Sequence, residues 1–250
     1  NAFSMCQNIK EITFPESIER IGLSAFPLIN SIEKVNISSL KDWLEVEFED
    51  DLSNPICGNR ADLYIGGSKL TDLIIPDGIT EIKEYAFFGC SSITSLTSGD
   101  DLTHIGREAF SDCKNLVKID LQKGNVRVLK SGAFNGCEKL TELDAPFVVR
   151  IENSWDDCCE SIEKINLPSL LYAHLSDFEN TKWFDNQNDG IIYIGNMLLG
   201  YKGENPGNTV IEIKDGIISI ADAALSDQKN IVSVTFPNSL KHIGYAVFYG

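Results

Sequence analysis

The amino-acid sequence predicts a mainly β solenoid, with coils of about 23 residues stacked along a parallel sheet and interrupted by two β-hairpin modules. Three observations carry this. A pattern L-x-x-I-x-I-P recurs with its fourth position at Ile12, Val35, Leu73, Leu96, Ile119, Leu143, Ile165, Ile211 and Val234. The successive spacings are 23, 38, 23, 23, 24, 22, 46 and 23. A second pattern, I-x-x-I-G-x-x-A-F-x-x-C, follows most of these positions, as in "DLTHIGREAFSDC" and "NVRVLKSGAFNGC". A unit this short cannot bury its own apolar face, whereas stacked copies can.

Each element of the coil has its own reason. In the first pattern apolar positions 4 and 6 alternate with polar positions 3 and 5, the period of a strand. Ile119, Leu121, Ile165 and Leu167 therefore point inward, and Lys118, Asp120, Lys164 and Asn166 outward. Pro15, Pro76, Pro146, Pro168 and Pro237 follow and stop the strand by withholding an N–H. The Ile-Gly segment forms the return side, and the Phe and Cys beyond it fill the next corner. Stacking sets equivalent strands ~4.8 Å apart and places each Phe on the next, with roughly 1.5–3 kcal/mol from each burial.

The repeated "IG-x-x-AF-x-x-C-x-x-L" and "L-x-x-I-x-I-P" signatures resemble the BspA-like class of leucine-rich repeats, found in bacterial surface proteins and some parasitic eukaryotes. The resemblance covers nearly the whole chain, residues 1–250, as a single leucine-rich-repeat solenoid. It implies a secreted or surface-attached, non-enzymatic module that adheres to host matrix proteins or other cells.

The two long spacings resemble each other. One begins "VNISSL" and the other "INLPSL"; each then carries a Trp and finishes in a hairpin signal, "LYIGGSKL" or "IYIGNMLL". Gly66-Gly67 and Gly195-Asn196 suit the turn of a tight hairpin. We place the modules at about 40–70 and 171–207 and read their duplication as a super-repeat of about 130 residues. Residue 1 already lies inside a motif and residue 250 precedes a corner, so the expectation is a segment of a longer array with apolar ends.

Charge and composition exclude some functions. The net charge of −16, from 37 acidic and 21 basic residues without a basic cluster, argues against nucleic acid. No apolar run approaches the ~20 residues of a membrane span, which argues against membrane insertion of this segment. Cys6, Cys90, Cys113, Cys137 and Cys159 share one repeat slot that elsewhere holds Ile29 or Gln228, which reads as interior filling. No C-x-x-C pairing points to zinc, and seven cysteines cannot all pair within one chain. The vicinal Cys158-Cys159 lies among acids that raise thiol pKa. His104 and His242 share a tolerant slot that reads as surface, and His174 stands alone in the second module. No nucleophile–His–Asp arrangement is evident, so no catalytic, cofactor or metal residue is assigned. "DNQNDG" at 185–190 faintly resembles a calcium loop but lacks its third and twelfth ligands, and a turn fits better. "EVEFEDD" at 45–51 reads as a solvated acidic edge.

What remains is surface. The outward row of Thr97, Asp120, Asp144 and Asn166 is the candidate binding face, with a protein ligand on a host matrix or cell surface as the expected partner. The alternative is a glycan stacked on Trp43, Trp183, Phe184 and Tyr193 of the modules, though these aromatics also suit plugs for the hairpin ends. A structural spacer is a third reading.

Overall fold

The computed structural model describes residues 2–4, 6–27, 29, 31–57, 61–153 and 159–250. All nine predicted front strands form, from Glu11–Thr13 to Ile231–Thr235. The apolar residue at the centre of each pattern is the one that pairs. Leu73, Leu96, Ile119, Leu143 and Ile165 stand opposite one another in register through a five-stranded parallel sheet. Ile12 faces Val35, and Ile211 faces Val234, in the same way.

The return side is a ladder of two-residue parallel strands. Glu81–Ile82 pairs with His104–Ile105, and Val128–Leu129 with Arg150–Ile151. Glycine after the return isoleucine has a steric cause here. A Cβ on Gly106 would lie 2.5 Å from the Glu84 backbone nitrogen of the coil beneath, so this coil stacks as it does only without that atom, although Lys83, Lys130 and Ala221 fill the equivalent slot elsewhere.

The corners pair from coil to coil as well. Phe87 N–H donates to Ala109 O at 2.9 Å, and Phe110 N–H to Ala133 O at 2.9 Å. Four corners bend through a left-handed residue just before the cysteine slot, filled by Gly89, Asp112, Gly136 and, ahead of Gln228, Asp227. Glycine and aspartate are residue types that tolerate this conformation. Between the two sides Phe87, Phe110 and Phe134 stack nearly parallel, with centroids 5.2 and 5.6 Å apart. All three are buried, as are Cys90, Cys113, Cys137 and Cys159.

The cysteine slot does more than fill space. The Cys113 Sγ donates to Phe87 O at 3.1 Å, Cys137 to Phe110 O at 3.3 Å, and Cys159 to Phe134 O at 3.3 Å. Each thiol thus supplies a second donor to a corner carbonyl that already accepts its own coil's cysteine N–H. Cys6 departs from the expectation and is exposed, because among the described residues no coil stacks on its outer side. The Cys158 of the vicinal pair, and with it most of "WDDCCE", lies outside the described residues.

Both hairpins form, but they join different sheets. In the first, Asp62–Ile65 pairs with Ser68–Lys69 around Gly66 and Gly67, whose φ values are +57° and +83°. Its Leu63 also pairs in parallel with Val35, so the 38-residue spacing contains an additional, longer coil. That coil carries a short helix, Leu40–Glu45, started by Ser39 accepting from Asp42 N–H. In the second module Gly190–Ile194 pairs with Met197–Lys202, and the latter continues the return sheet through Ser219–Ile220 and His242–Ile243. Only Gly195 of its turn takes positive φ; Asn196 does not. The modules are alike in sequence yet differ in partner: the strand before the turn joins the front sheet in the first, and the strand after the turn joins the return side in the second.

Candidate functional site

The front sheet presents its outward row as one line. Ile74, Thr97, Asp120, Asp144 and Asn166 are mutual register partners on adjacent strands. Asp120 and Asp144 are therefore neighbours at about the 4.8 Å strand spacing, a juxtaposition that costs stability when unrelieved. Local amides relieve it. Asp144 accepts from Asn166 Nδ2 at 2.8 Å and from Gln122 Nε2 at 2.6 Å, and Asp120 accepts from the Gln122 N–H at 3.2 Å. Lys118 Nζ lies 3.9 Å from Asp120. The row ends at Ile74, which is 64% exposed. The face is thus acidic at its middle and apolar at one end.

The module aromatics do not form a comparable surface. Trp43 is only 1% exposed, so it is no stacking platform. Its Nε1 donates to Ala86 O at 2.9 Å, and Asn54 Nδ2 donates to Tyr85 O at 2.8 Å, which together lock the first module to the next coil. Trp183 packs at 5.5 Å against the buried Phe178. Phe184 lies 5.1 Å from the Lys202 ammonium, and Tyr193 lies 4.1 Å from that of Lys214. Trp183, Phe184 and Tyr193 are half-buried.

The loop at 185–190 is closed by a side chain. Lys202 Nζ donates to the carbonyls of Phe184, Asp185 and Gln187 at 2.9, 2.7 and 2.9 Å. An ammonium thus occupies the oxygen-lined position that the calcium reading would assign to a cation. In the acidic stretch at 45–51, Glu49 and Asp50 are engaged rather than merely solvated. Glu49 accepts from Leu23 N–H and Asp50 from Ser24 N–H of the preceding coil.

The interior thiols are electrostatically silenced. Burial pushes Cys90 up and Cys113 well above the ordinary thiol range. Cys57 is pushed up to about 12 by burial and by the charges of Asp51, Asp112 and Asp50. Since the thiolate is the nucleophile, these groups are poorly reactive.

One concavity was not visible in the sequence. A cleft of about 610 Å³ opens on the return side between residues 150–177 and 219–245. It gathers His174 and His242, two of the three histidines, with Arg150, Tyr172 and Tyr245. His104 lies elsewhere, exposed on the return ladder. No periodic signal could bring these residues together, since the second module decides which coils face each other. No described helix is long and apolar enough to cross a membrane, and no cluster of metal-ligating side chains occurs among the described residues.

A family model described as "BspA type Leucine rich repeat region" matches in six copies over residues 1–53, 62–185 and 204–250. The unmatched stretches fall in the two modules. Among solved structures, a leucine-rich cell surface protein from Faecalibacterium prausnitzii is 19% identical over 72% of this chain and 59% of its own, with a TM-score of 0.49. A leucine-rich repeat protein from Bacteroides ovatus is 19% identical over 98% and 53%, with a TM-score of 0.34. The pneumococcal vaccine antigen PcpA is 16% identical over 99% and 65%, with a TM-score of 0.41. This chain therefore spans little more than half the length of the first two. The comparison with curated proteins found no match. Carrying that family's model along nearly all of its length, on coils whose strands, corners and phenylalanine stack follow the repeat, the chain belongs to the BspA-type leucine-rich repeat family.

Proposed function

We propose that this chain is a non-enzymatic interaction module of a surface or secreted protein, and that its front sheet binds a host matrix or cell-surface protein. The family's repeats are an interaction scaffold in general, which supports the coarser part of this reading. One observation carries the finer part. Asp120 and Asp144 stand side by side in register on the outward face, where uncharged residues would cost less. Two fixed carboxylates with Thr97 and Asn166 beside them and an exposed Ile74 beyond complement a basic patch with an apolar margin. The overall charge of −16 adds long-range attraction to such a partner.

The test is biolayer interferometry of the chain against a panel of host-matrix and bacterial-surface proteins. We expect at least one binder whose affinity falls about tenfold or more in the Asp120→Lys/Asp144→Lys variant and weakens with added salt. A panel without a binder, or a binder indifferent to the double variant, overturns the reading.

A further inference from the structure

The cleft on the return side is built from groups that the front face leaves idle. Its volume of about 610 Å³ lies within the roughly 300–1,000 Å³ of sites that enclose small ligands. Two cations line it, Arg150 and Lys241, and neither forms an ion pair with a carboxylate among the described residues. That is notable in a chain with 37 acidic and 21 basic residues, where many other cations are paired across coils.

Arg150 is held rather than free. Its guanidinium lies 4.3 Å from the Tyr172 ring centroid, a stacking that uses its face and leaves its N–H donors for a planar acceptor. Tyr172 is fixed in turn, with its backbone N–H on Val149 O at 3.0 Å and its ring 5.8 Å from His242.

The two carboxylates in the cleft are committed to its walls. Asp177, 5% exposed, accepts from His174 N–H at 2.8 Å, and Asp222 accepts from Tyr245 N–H at 2.6 Å. The second bond pins the backbone beneath Tyr245, whose side chain stands 84% exposed at the rim. Asn153 and Ser176 add neutral hydrogen-bonding groups. The cleft therefore offers cations that are unpaired among the described residues, an exposed tyrosine at its rim and polar walls.

We propose that this cleft binds a short saccharide bearing carboxylate groups, a uronate or a sialate. The carboxylate meets Arg150 and Lys241, and the apolar face of a sugar ring lies on Tyr245. Sugar hydroxyls suit the amide and hydroxyl side chains of the wall. An acidic peptide without aromatic residues matches the cations equally but gives the rim tyrosine no ring to stack. The site is independent of the front face, so either reading stands without the other.

Isothermal titration of the whole chain with trigalacturonic acid tests it, with the neutral methyl ester as the matched arm. Sialyllactose against lactose forms the second pair, and hexaglutamate is the peptide arm. We expect at least one acidic saccharide to bind, and its neutral counterpart to bind about tenfold more weakly or not at all. Tyr245→Ala and Lys241→Ala, both at exposed positions, should each weaken binding about tenfold. Lys139→Ala, which removes the same charge elsewhere, should leave it unchanged. The proposal is overturned if neither acidic saccharide binds, if hexaglutamate binds as tightly, or if Lys139→Ala weakens binding as much as Lys241→Ala.

Discussion

At the Phe87, Phe110 and Phe134 corners the phenylalanine carbonyl accepts two donors, the N–H of its own coil's cysteine and the thiol of the next coil's. This explains a slot that tolerates Ile29 yet usually holds cysteine. Isoleucine fills the volume, but only cysteine both fills it and donates. The aromatic ring beside it is the larger contributor. Phe110 is fully buried and stacked on both sides, so Phe110→Ala should destabilise by about 3–5 kcal/mol. Chemical denaturation measures this, and a loss below about 1 kcal/mol would place Phe110 outside the core. The inward role of Phe110 and Cys113 was legible from spacing alone, because a repeated slot inherits one environment in every internal coil. Cys6 was misread for the same reason. Its slot is shared, but its environment depends on a neighbour that the slot does not encode.

Among the elements, the front strands were legible to the residue, since alternation and spacing each fix the register. The modules were legible only as hairpins. Gly66-Gly67 and Gly195-Asn196 announce a tight turn, but nothing local says that Leu63 pairs with Val35 while Met197 pairs with Ser219. The role of Lys202 was hidden likewise, since its three carbonyl acceptors lie 15–18 residues upstream. Replacing it tests the second module directly. Lys202→Met retains the stem and removes three charge-assisted bonds, each ordinarily worth ~1.5–3 kcal/mol. Hydrogen exchange should then rise at residues 184–190 while the strands Ser95–Thr97 and Lys118–Asp120 keep their protection. Added calcium should not restore protection to the variant, and restoration would revive the metal reading of that loop.

Taken as a whole, the molecule stacks one coil on another, so each coil contacts its neighbours and stability accumulates along the axis. The same stacking turns single outward residues into rows, which is why the candidate front face could be named from the sequence. The return-side cleft could not, because His174, His242 and Arg150 meet only after the second module has redirected the chain. The candidate front face depends on the coils being closed and in register from Leu73 to Ile165. Pulsed alkylation across a urea series, read cysteine by cysteine by mass spectrometry, tests this most directly. The prediction is that Cys90, Cys113, Cys137 and Cys159 stay unlabelled in native protein until they react together at one common midpoint. Rapid labelling of Cys113 or Cys137 in the native protein would contradict it.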